Sequence, residues 1–288
     1  MSIVIENLCH VYGKGTPFLV EALKDVSLEI EKGQLTGIIG HTGSGKSTLA
    51  QHLTGLEQAQ SGRVMVDSVE LSGKYDKKAI RTKVGMVFQY PEQQLFEETV
   101  VKDICFGPKN LGLSEEKQIE RAKSAMALMQ IEYETFAERS PFDLSGGQKR
   151  RVAIAGVLAM EQDYLVLDEP TAGLDPEARR NLLTIIRRLP EQTGMGVLMV
   201  SHSMEDMAMY ADKLAVMHQG KLVRFGTPEE IFSHEEELRQ AGLAVPTLSR
   251  LTKALQARGI KVPFSRNPME FAAHLKKALE GRQNHGDE

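Results

Sequence analysis

The amino-acid sequence predicts an α/β fold built around a largely parallel sheet, and two observations favour it. Short apolar, β-branched segments alternate along the chain with stretches of helical periodicity, which is the pattern of α/β proteins. The last four of these segments are almost continuously apolar, as strands are when both faces of a parallel sheet are covered. The predicted strands are Ile3–Ile5, Val26–Ile30, Leu35–Ile39, Val84–Phe88, Tyr164–Leu167, Val197–Val200 and Leu214–Met217.

Two regions carry helical periodicity instead. Ser114, followed by Glu115 and Glu116, predicts a helix start, and we expect a mainly helical insertion over about residues 90–160. Its apolar positions at helical spacing are Ile119, Ala122, Met126 and Met129. After about His234 the strand signals stop, and Leu248, Leu251, Leu255, Phe271, Leu275 and Leu279 fall on helical faces. The sequence therefore predicts a main domain over residues 1–233 and a small helical appendage over 234–288.

The composition is that of an ordinary globular protein, with 41% hydrophobic and 26% charged residues, which excludes fibrous and disordered classes. The net charge of −4 argues against a protein that coats nucleic acid, so no nucleic-acid partner is expected. Cys9 and Cys105 are the two cysteines, and no Cys/His cluster has metal-ligand spacing, so the chain is expected to be cytosolic. Without an apolar run near ~20 residues or a signal peptide in Met1–His10, it should reach a membrane only by docking on a partner.

A glycine-rich loop follows the strand Leu35–Ile39 and opens a helix. Its residues are Gly40, His41, Thr42, Gly43, Ser44, Gly45, Lys46, Ser47 and Thr48. Glycines let successive backbone N–H groups turn inward around an anion, and the helix N-terminus adds the positive end of its dipole. In this pattern Lys46 reaches the β- and γ-phosphates of ATP, and the Ser47 hydroxyl ligates Mg²⁺. The loop predicts a P-loop NTPase.

The strand Tyr164–Leu167 ends in two carboxylates, Asp168 and Glu169. This pattern alone is weak, because many strands end in a charged turn. Together with the phosphate loop, however, it predicts that Asp168 is a second Mg²⁺ ligand beside Ser47. Glu169, one residue further on, is then placed to polarise the water that attacks the γ-phosphate.

A second anion-binding segment, Ser145-Gly146-Gly147-Gln148 after Leu144, opens the apolar helix Val152–Met160. The segment Leu-Ser-Gly-Gly-Gln resembles the signature of ATP-binding-cassette (ABC) ATPases. This resemblance implies a P-loop NTPase fold of the ABC type, with an N-terminal antiparallel β part and an inserted helical subdomain. It also implies that the signature closes over the γ-phosphate bound to a facing subunit, so that two cassettes enclose two nucleotides.

Four more elements of that family occur in order, and the resemblance covers about residues 1–233. Gln89 matches the glutamine that senses Mg²⁺ and water and links the site to the membrane partner. Thr171–Asp175 matches the loop that crosses the dimer interface, which makes Asp175 a site residue. His202 matches the switch histidine that contacts the γ-phosphate. Tyr12 resembles the aromatic residue that stacks on adenine, with a place in the core as its alternative.

The segment that follows Gln89 narrows the resemblance. Tyr90–Val100 reads YPEQQLFEETV, and it occurs together with His41-Thr42, Gly15–Phe18 and Phe142-Asp143. These features resemble the second ATPase subunit of energy-coupling-factor (ECF) transporters, which power the uptake of vitamins or other micronutrients. The resemblance implies a peripheral subunit on the cytoplasmic side of the cell membrane, with ATP and Mg²⁺ as cofactors. It implies three partners: a second, similar ABC ATPase in a heterodimer, a transmembrane scaffold and small substrate-capture membrane proteins. The appendage would help to hold the two ATPases together.

The segment around Leu95 and Phe96 has an acidic and apolar pattern. We hypothesise that it forms part of a groove for the scaffold, with Glu97 or Glu98 paired to arginine. The alternative is a solvated acidic turn with Leu95 and Phe96 in the core.

Three other functions compete with this interpretation. An ATPase subunit of another importer, for a metal ion or an amino acid, shares the same core chemistry. Cassette ATPases of translation or DNA repair usually have two cassettes or a long coiled coil, whereas only about a hundred residues separate Lys46 from Ser145. A non-catalytic nucleotide-binding scaffold would be expected to lack Glu169 or His202, and both are present.

Overall fold

The computed structural model describes residues 1–73 and 75–283. Its strands are β1 (Ser2–Tyr12), β2 (Val20–Glu31), β3 (Leu35–Gly40), β4 (Ser61–Val66), β5 (Val69–Glu70), β6 (Val84–Val87), β7 (Tyr164–Asp168), β8 (Gly196–Val200), β9 (Lys213–His218) and β10 (Lys221–Gly226). The smaller sheet has the order β2-β1-β4-β5 and is antiparallel, and the larger has the order β10-β9-β3-β8-β7-β6. In the larger sheet β9, β3, β8, β7 and β6 are parallel and β10 is antiparallel. This arrangement confirms the predicted fold class.

The centre of the larger sheet is buried on both faces. Every residue of β3 and of β8 is buried, which explains why β8 is continuously apolar in the sequence and why Thr36 is the one polar residue of β3. The seven predicted strands are all present, although β6 ends at Val87 and Phe88 lies outside it. Three strands were missed, namely β4, β5 and β10. They lie at or near sheet edges and expose polar residues, so the strand signal of apolar alternation is weak there.

The helices are α1 (Lys46–Leu53), α2 (Lys77–Arg81), α3 (Val100–Asn110), α4 (Glu115–Leu128), α5 (Tyr133–Phe136), α6 (Gly146–Leu158), α7 (Pro176–Thr193), α8 (Met204–Tyr210), α9 (Pro228–Ser233), α10 (Glu235–Gln240), α11 (Thr247–Ala257) and α12 (Pro268–Gln283). The helices α3 to α6 lie between β6 and β7, where the sequence predicts a helical insertion. The predicted apolar positions of this region pack inward: Ala122, Met126 and Met129 are buried, and Ile119 is partly buried against the same core.

The predicted appendage, 234–288, lies within the described residues as far as 283. Its helix α11 has no buried residue, and Leu251 is 42% exposed, whereas Phe271 of α12 is buried. Ion pairs, hydrogen bonds and buried side chains tie the appendage to the rest of the chain: Arg224 pairs with Glu237 at 2.6 Å, and Leu238 is buried in the main core. The N–H and the hydroxyl of Thr247 donate to Glu205 Oε1 of α8, both at 2.8 Å, and Arg266 donates to the carbonyl of Ala211 at 2.8 Å. Among the described helices, none has the length and apolar character needed to cross a bilayer.

Candidate functional site

A cleft of about 490 Å³ lies at the carboxyl ends of the parallel strands, which is where open α/β sheets bind their ligands. The phosphate loop follows β3, Gln89 follows β6, Asp168 and Glu169 end β7, and His202 follows β8. The predicted site residues that line this cleft are Tyr12, Thr42, Gly43, Gly45, Lys46, Ser47, Thr48, Gln89, Asp168, Glu169 and His202. Gly40, His41 and Ser44 shape the loop without lining it. Gly40 is the last residue of β3, His41 is exposed and Ser44 is buried.

The conformation of the loop requires glycine. Gly43 and Gly45 have positive φ angles of 79° and 100°, so L side chains would be strained there. A Cβ atom on Gly45 would also lie 2.4 Å from the carbonyl oxygen of Ala22. The Nζ atom of Lys46 donates to the carbonyls of Gly40 and His41, at 2.7 and 2.9 Å. The ammonium group is thus held over its own loop, within reach of an anion in the cradle.

Burial and neighbouring charges have opposite effects on the pKa values of Lys46 and Asp168. Burial lowers the pKa of Lys46, while the charges of Glu169 and Asp168 act in the opposite direction. Burial raises the pKa of Asp168, against a hydrogen bond from Ser47 and the charge of Lys46. Charged groups are therefore held here in an environment that disfavours their charged forms, as is common at sites that bind charged ligands.

The Ser47 hydroxyl and the Asp168 carboxylate both line the cleft, and the hydroxyl is near enough to oppose the rise in the pKa of Asp168, so two oxygen ligands lie side by side. Hard oxygen donors of this kind suit Mg²⁺, which takes one or two protein ligands and completes its shell with water and phosphate. Within the described residues, no group of three or more His, Cys, Asp or Glu side chains forms a self-sufficient metal site. The donor set therefore fits a metal ion that arrives with a phosphate ligand.

Glu169 and His202 form a pair. The Nδ1 atom of His202 lies 2.9 Å from Glu169 Oε2, and the two side chains differ in exposure, 74% for the histidine and 16% for the glutamate. Glu169 has a left-handed backbone with φ 50°, and its N–H donates to the carbonyl of Val200 at 3.1 Å. The turn directs the carboxylate out of the sheet edge, and the histidine restricts its rotation.

Tyr12 stands at the opposite side of the cleft from this pair of strand ends, on the smaller sheet. It is 38% exposed, so the structure gives it a surface ring rather than a place in the core. Its hydroxyl lies 3.5 Å from Thr48 Oγ1 and 3.4 Å from Gln51 Oε1, both on α1. A half-exposed ring beside the phosphate loop can stack on a planar group.

The remaining predicted residues line a second cleft of about 480 Å³. These are Ser145, Gly146, Gly147, Gln148 and Asp175, and among the described residues the two clefts share none of their lining. Ser145 and Gln148 cap α6 reciprocally: the Ser145 N–H donates to Gln148 Oε1 at 2.9 Å, and the Gln148 N–H donates to Ser145 Oγ at 3.3 Å. Asp175 caps α7 by accepting from the N–H groups of Glu177 and Ala178. Two helix N-termini therefore open on one cleft.

Arg150, which the sequence analysis missed, joins three of these elements. Its side chain is 1% exposed, and its Nε lies 2.6 Å from Glu92 Oε2 in the segment after Gln89. Its two terminal nitrogens donate to the carbonyls of Pro170 and Ala172, at 2.6 and 2.9 Å, and also to Glu92 Oε1 at 2.8 Å. The signature helix is thereby bonded to the turn after Glu169. No local signal could have revealed this, because Lys149-Arg150-Arg151 looks like an exposed basic run.

Comparison with known proteins agrees with this geometry. The sequence profile of the ABC transporter family matches residues 23–172, just over half of the chain. The energy-coupling factor transporter ATP-binding protein EcfA2 of Clostridium tetani (strain Massachusetts / E88) is 52% identical over 263 residues, which cover 91% of each protein. Among solved structures, cbiO1 of Clostridium perfringens, part of the ABC transporter complex cbiONQ, is 34% identical with a TM-score of 0.74 and covers 87% of this chain and 98% of its own. A dimeric ATP-binding cassette, MJ0796, bound to ADP and Pi, is 28% identical with a TM-score of 0.68 and covers 78% and 98%.

Proposed function

The chain belongs to the ABC transporter family, among the energy-coupling factor transporter ATP-binding proteins, and from this premise we propose that it powers the uptake of vitamins or other micronutrients. It binds and hydrolyses ATP for a transporter whose other parts are a second, similar ATPase, a transmembrane scaffold and small substrate-capture proteins. The observation that carries this proposal is the cleft at the strand ends, where the phosphate loop, Gln89, Asp168, Glu169 and His202 meet.

The phosphate loop binds the triphosphate. Backbone N–H groups of the Gly43–Lys46 turn and the N-terminus of α1 face an anion, and the Lys46 ammonium exchanges its bonds to the loop carbonyls for bonds to phosphate oxygens. Ser47 and Asp168 would hold Mg²⁺, and Gln89 lines the same cleft. The chemistry supplied by bound Mg²⁺ is neutralisation of charge on the phosphate oxygens.

Glu169 acts on the attacking water. Its carboxylate accepts a hydrogen bond from the water and orients the oxygen toward the γ-phosphate. His202 holds that carboxylate through Nδ1. The other nitrogen of its exposed ring, Nε2, then faces the γ-phosphate. The protein forms no covalent bond to the phosphate in this scheme, because phosphoryl transfer depends mostly on positioning and on charge neutralisation.

The second cleft completes the site of another subunit. The capped start of α6 offers Ser145, Gly146 and Gly147 to a phosphate, but this cleft shares no described lining residue with the phosphate loop of the same chain. Two cassettes facing each other would bring a signature of one to the phosphate loop of the other. Asp175, in the loop before α7, lies in the same cleft and contacts the facing subunit.

The segment after Gln89 docks on the membrane scaffold and keeps the chain at the cytoplasmic face of the membrane. Leu95 is buried, while Phe96 is 57% exposed and packs edge-to-face on Phe106, which is 44% exposed, with ring centroids 5.0 Å apart. Asp103 fixes this turn by accepting from the N–H groups of Phe96 and Glu97, at 3.1 and 2.9 Å. An exposed aromatic pair beside acidic side chains suits a partner helix with apolar and arginine side chains.

The test is affinity purification of the tagged chain from detergent-solubilised native membranes, with identification of every co-purifying protein. The expected result is a second similar ATPase, one scaffold protein and several small membrane proteins. Recovery of two copies of a large membrane subunit with a soluble binding protein would instead establish a conventional importer.

The docking surface is tested by charge reversal in the same purification. Glu97→Lys together with Glu98→Lys should abolish co-purification of the scaffold. The matched control is Glu115→Lys with Glu116→Lys, because that acidic pair is exposed at the start of α4, away from the aromatic pair. Unchanged complex yield and transport in the first variant would contradict the docking proposal while leaving the ATPase chemistry intact.

A further inference from the structure

Three aromatic rings contact one another in a row that begins at the lining of the nucleotide cleft and continues into the core. His10 of β1 contacts Tyr12 with ring centroids 4.4 Å apart, and it contacts His52 of α1 with centroids 4.7 Å apart. Both contacts are edge-to-face, with interplanar angles of 66° and 77°. We call Tyr12, His10 and His52 the ring column. It runs from the exposed Tyr12 to the buried His52 on α1, the helix that follows the phosphate loop.

The two histidines of the column are buried, and core packing explains His10 poorly. His10 is 4% exposed and His52 is 1% exposed. His52 Nδ1 lies 2.7 Å from the carbonyl of Thr48, and the backbone of Gln58 is a second hydrogen-bonding neighbour of this ring. His10 Nδ1 has no hydrogen-bond partner among the described residues. A buried unpaired nitrogen is unfavourable, and an apolar ring in place of His10 would avoid it, so this side chain breaks a packing rule in the way that functional sites do.

The column is attached to the phosphate loop at one residue. Thr48 closes that loop, and its carbonyl accepts the hydrogen bond from His52. The Thr48 hydroxyl also lies 3.5 Å from the hydroxyl of Tyr12, at the exposed end of the column. The position of the Tyr12 ring is therefore set from both sides by the helix that begins at the phosphate cradle. Because the rings are rigid, the span from Tyr12 to the cradle is fixed before a ligand arrives.

We propose that His10 and His52 are positioning residues that hold Tyr12 at the height of a nucleotide base and so give the site its preference for ATP over a bare triphosphate. The inference rests on the proposed ATP-binding function and on Tyr12 as the surface that meets the base. A base stacks favourably on an aromatic ring only when the ring is parallel to it and at the right distance from the phosphates. Loss of a supporting ring lets Tyr12 tilt, which weakens stacking and leaves phosphate binding as it was.

The experiment compares two probes on the purified full-length chain, namely ATP and inorganic tripolyphosphate, each with Mg²⁺, by calorimetric titration. His10→Leu and His52→Leu should each lower the affinity for ATP by about tenfold, since part of a base–aromatic stack is lost. Their affinity for tripolyphosphate should stay at the wild-type value. His10→Phe keeps the ring contacts and removes the unpaired nitrogen, so its affinity for ATP should stay within about twofold of wild type.

Two controls separate the possible failures. Leu53→Ala removes a fully buried side chain from the same helix but outside the column, so it should lower the melting temperature without changing the ratio of the two affinities. Tyr12→Leu should lower that ratio at least as much as the histidine variants. If Tyr12→Leu leaves the ratio unchanged, the proposed base contact is wrong. If Tyr12→Leu lowers it and the two leucine variants do not, or if they weaken both probes equally, the ring column has no positioning role.

Discussion

The two edges of the six-stranded sheet hold their charged residues in opposite ways. At the amino ends of the strands, Lys32, Lys83, Asp67 and Asp163 form a network with as many positive as negative groups. Lys83 Nζ lies 3.0 Å from Asp67 Oδ2, Lys32 Nζ lies 2.7 Å from Asp163 Oδ1, and the hydroxyl of Tyr164 donates to Asp67 Oδ1 at 2.8 Å. Burial alone would raise the pKa of Asp67, but the bonds from Lys83 and Tyr164 and the lysine charges together lower it.

At the carboxyl ends, one ammonium group faces two carboxylates. Lys46 donates to backbone carbonyls, and burial lowers its pKa, whereas burial raises the pKa of Asp168. The charges at the amino ends neutralise one another and stabilise the fold. Those at the carboxyl ends are incompletely compensated by one another, which suits a site that takes up a cation together with an anionic ligand. Charged groups therefore stabilise the fold at the amino ends of the strands, whereas at the carboxyl ends they lower its stability.

The largest effect is expected from Glu169→Gln, which removes the charge that acts on water. Turnover of ATP in the assembled transporter should fall by about 10²–10⁴-fold, the usual contribution of a general base, while the affinity for ATP is retained. Steady-state hydrolysis and equilibrium ATP binding measure the two quantities. Glu191→Gln on α7, with a side chain that is 65% exposed, is the matched control and should hydrolyse normally. Near-normal turnover in the first variant would exclude Glu169 as the base.

Arg150 is the exception at the carboxyl ends of the strands, because Glu92 balances its charge and two carbonyls accept from its terminal nitrogens, and its removal sharpens the comparison. Arg150→Met should lower the free energy of unfolding by about 3 kcal/mol, since Glu92 and two carbonyls lose a buried partner. Arg151→Met is the control: among the described residues, this neighbour donates to the carbonyls of Met129 and Gln130 and to no carboxylate, so its loss should matter less. Urea unfolding measures both. Equal losses would show that the pairing with Glu92 adds nothing.

At the amino edge, Asp67→Asn should lower the free energy of unfolding by about 2 kcal/mol at pH 7, because it removes charge-assisted hydrogen bonds from Lys83 and Tyr164. The folded pKa of Asp67 is lowered, so its contribution is complete above the unfolded pKa of about 3.9 and is lost as pH falls through the folded value. The difference between the wild type and the variant should therefore shrink below about pH 4. Urea titrations at pH 7 and under acidic conditions test this, and a difference independent of pH would contradict it.

The smallest effect should have the opposite sign. The folded pKa of Asp168 is raised, so its charge opposes folding once pH has risen through that value. Asp168→Asn should therefore raise the free energy of unfolding of the ligand-free chain by up to about 1 kcal/mol at pH 7. The same change should abolish stabilisation by Mg²⁺ and ATP. Thermal unfolding with and without the ligand measures both. If the ligand-free variant is less stable than the wild type, charge stabilises both ends of the strands and the comparison fails.

The sequence could predict the fold class and the composition of the cleft for one physical reason. The phosphate loop, Gln89, Asp168 and His202 each come at or just after the end of a mostly apolar strand, and parallel strands bring their carboxyl ends to one edge. Lys46, Asp168 and His202 could therefore be expected near each other even though the order of the strands in the sheet was unknown. Their individual roles stay predictions, as do those of the signature residues.

What the sequence could not predict depends on contacts between distant segments. Strand β4 begins with three exposed residues, and β10 lies at the sheet edge with Lys221, Val223 and Phe225 exposed, so their conformation is set by pairing with neighbours rather than by a continuous apolar pattern. Arg150 is buried because carbonyls of Pro170 and Ala172 and the carboxylate of Glu92 surround it. His10 and His52 meet only because β1 lies against α1. None of these contacts joins residues at a characteristic separation along the chain, so no sequence motif indicates them.

The separation of the two clefts makes this protein sensitive to dilution. The phosphate loop and the signature lie on surfaces with no lining residue in common among those described, so in the proposed arrangement the chain needs its partner ATPase to complete a site. In solution, its turnover should rise with the concentration of that partner until most chains are paired. A scaffold that binds two cassettes replaces that dependence with a fixed effective concentration, in the millimolar range typical of tethered modules. Assembly on the membrane then controls the rate of hydrolysis before any substrate is captured.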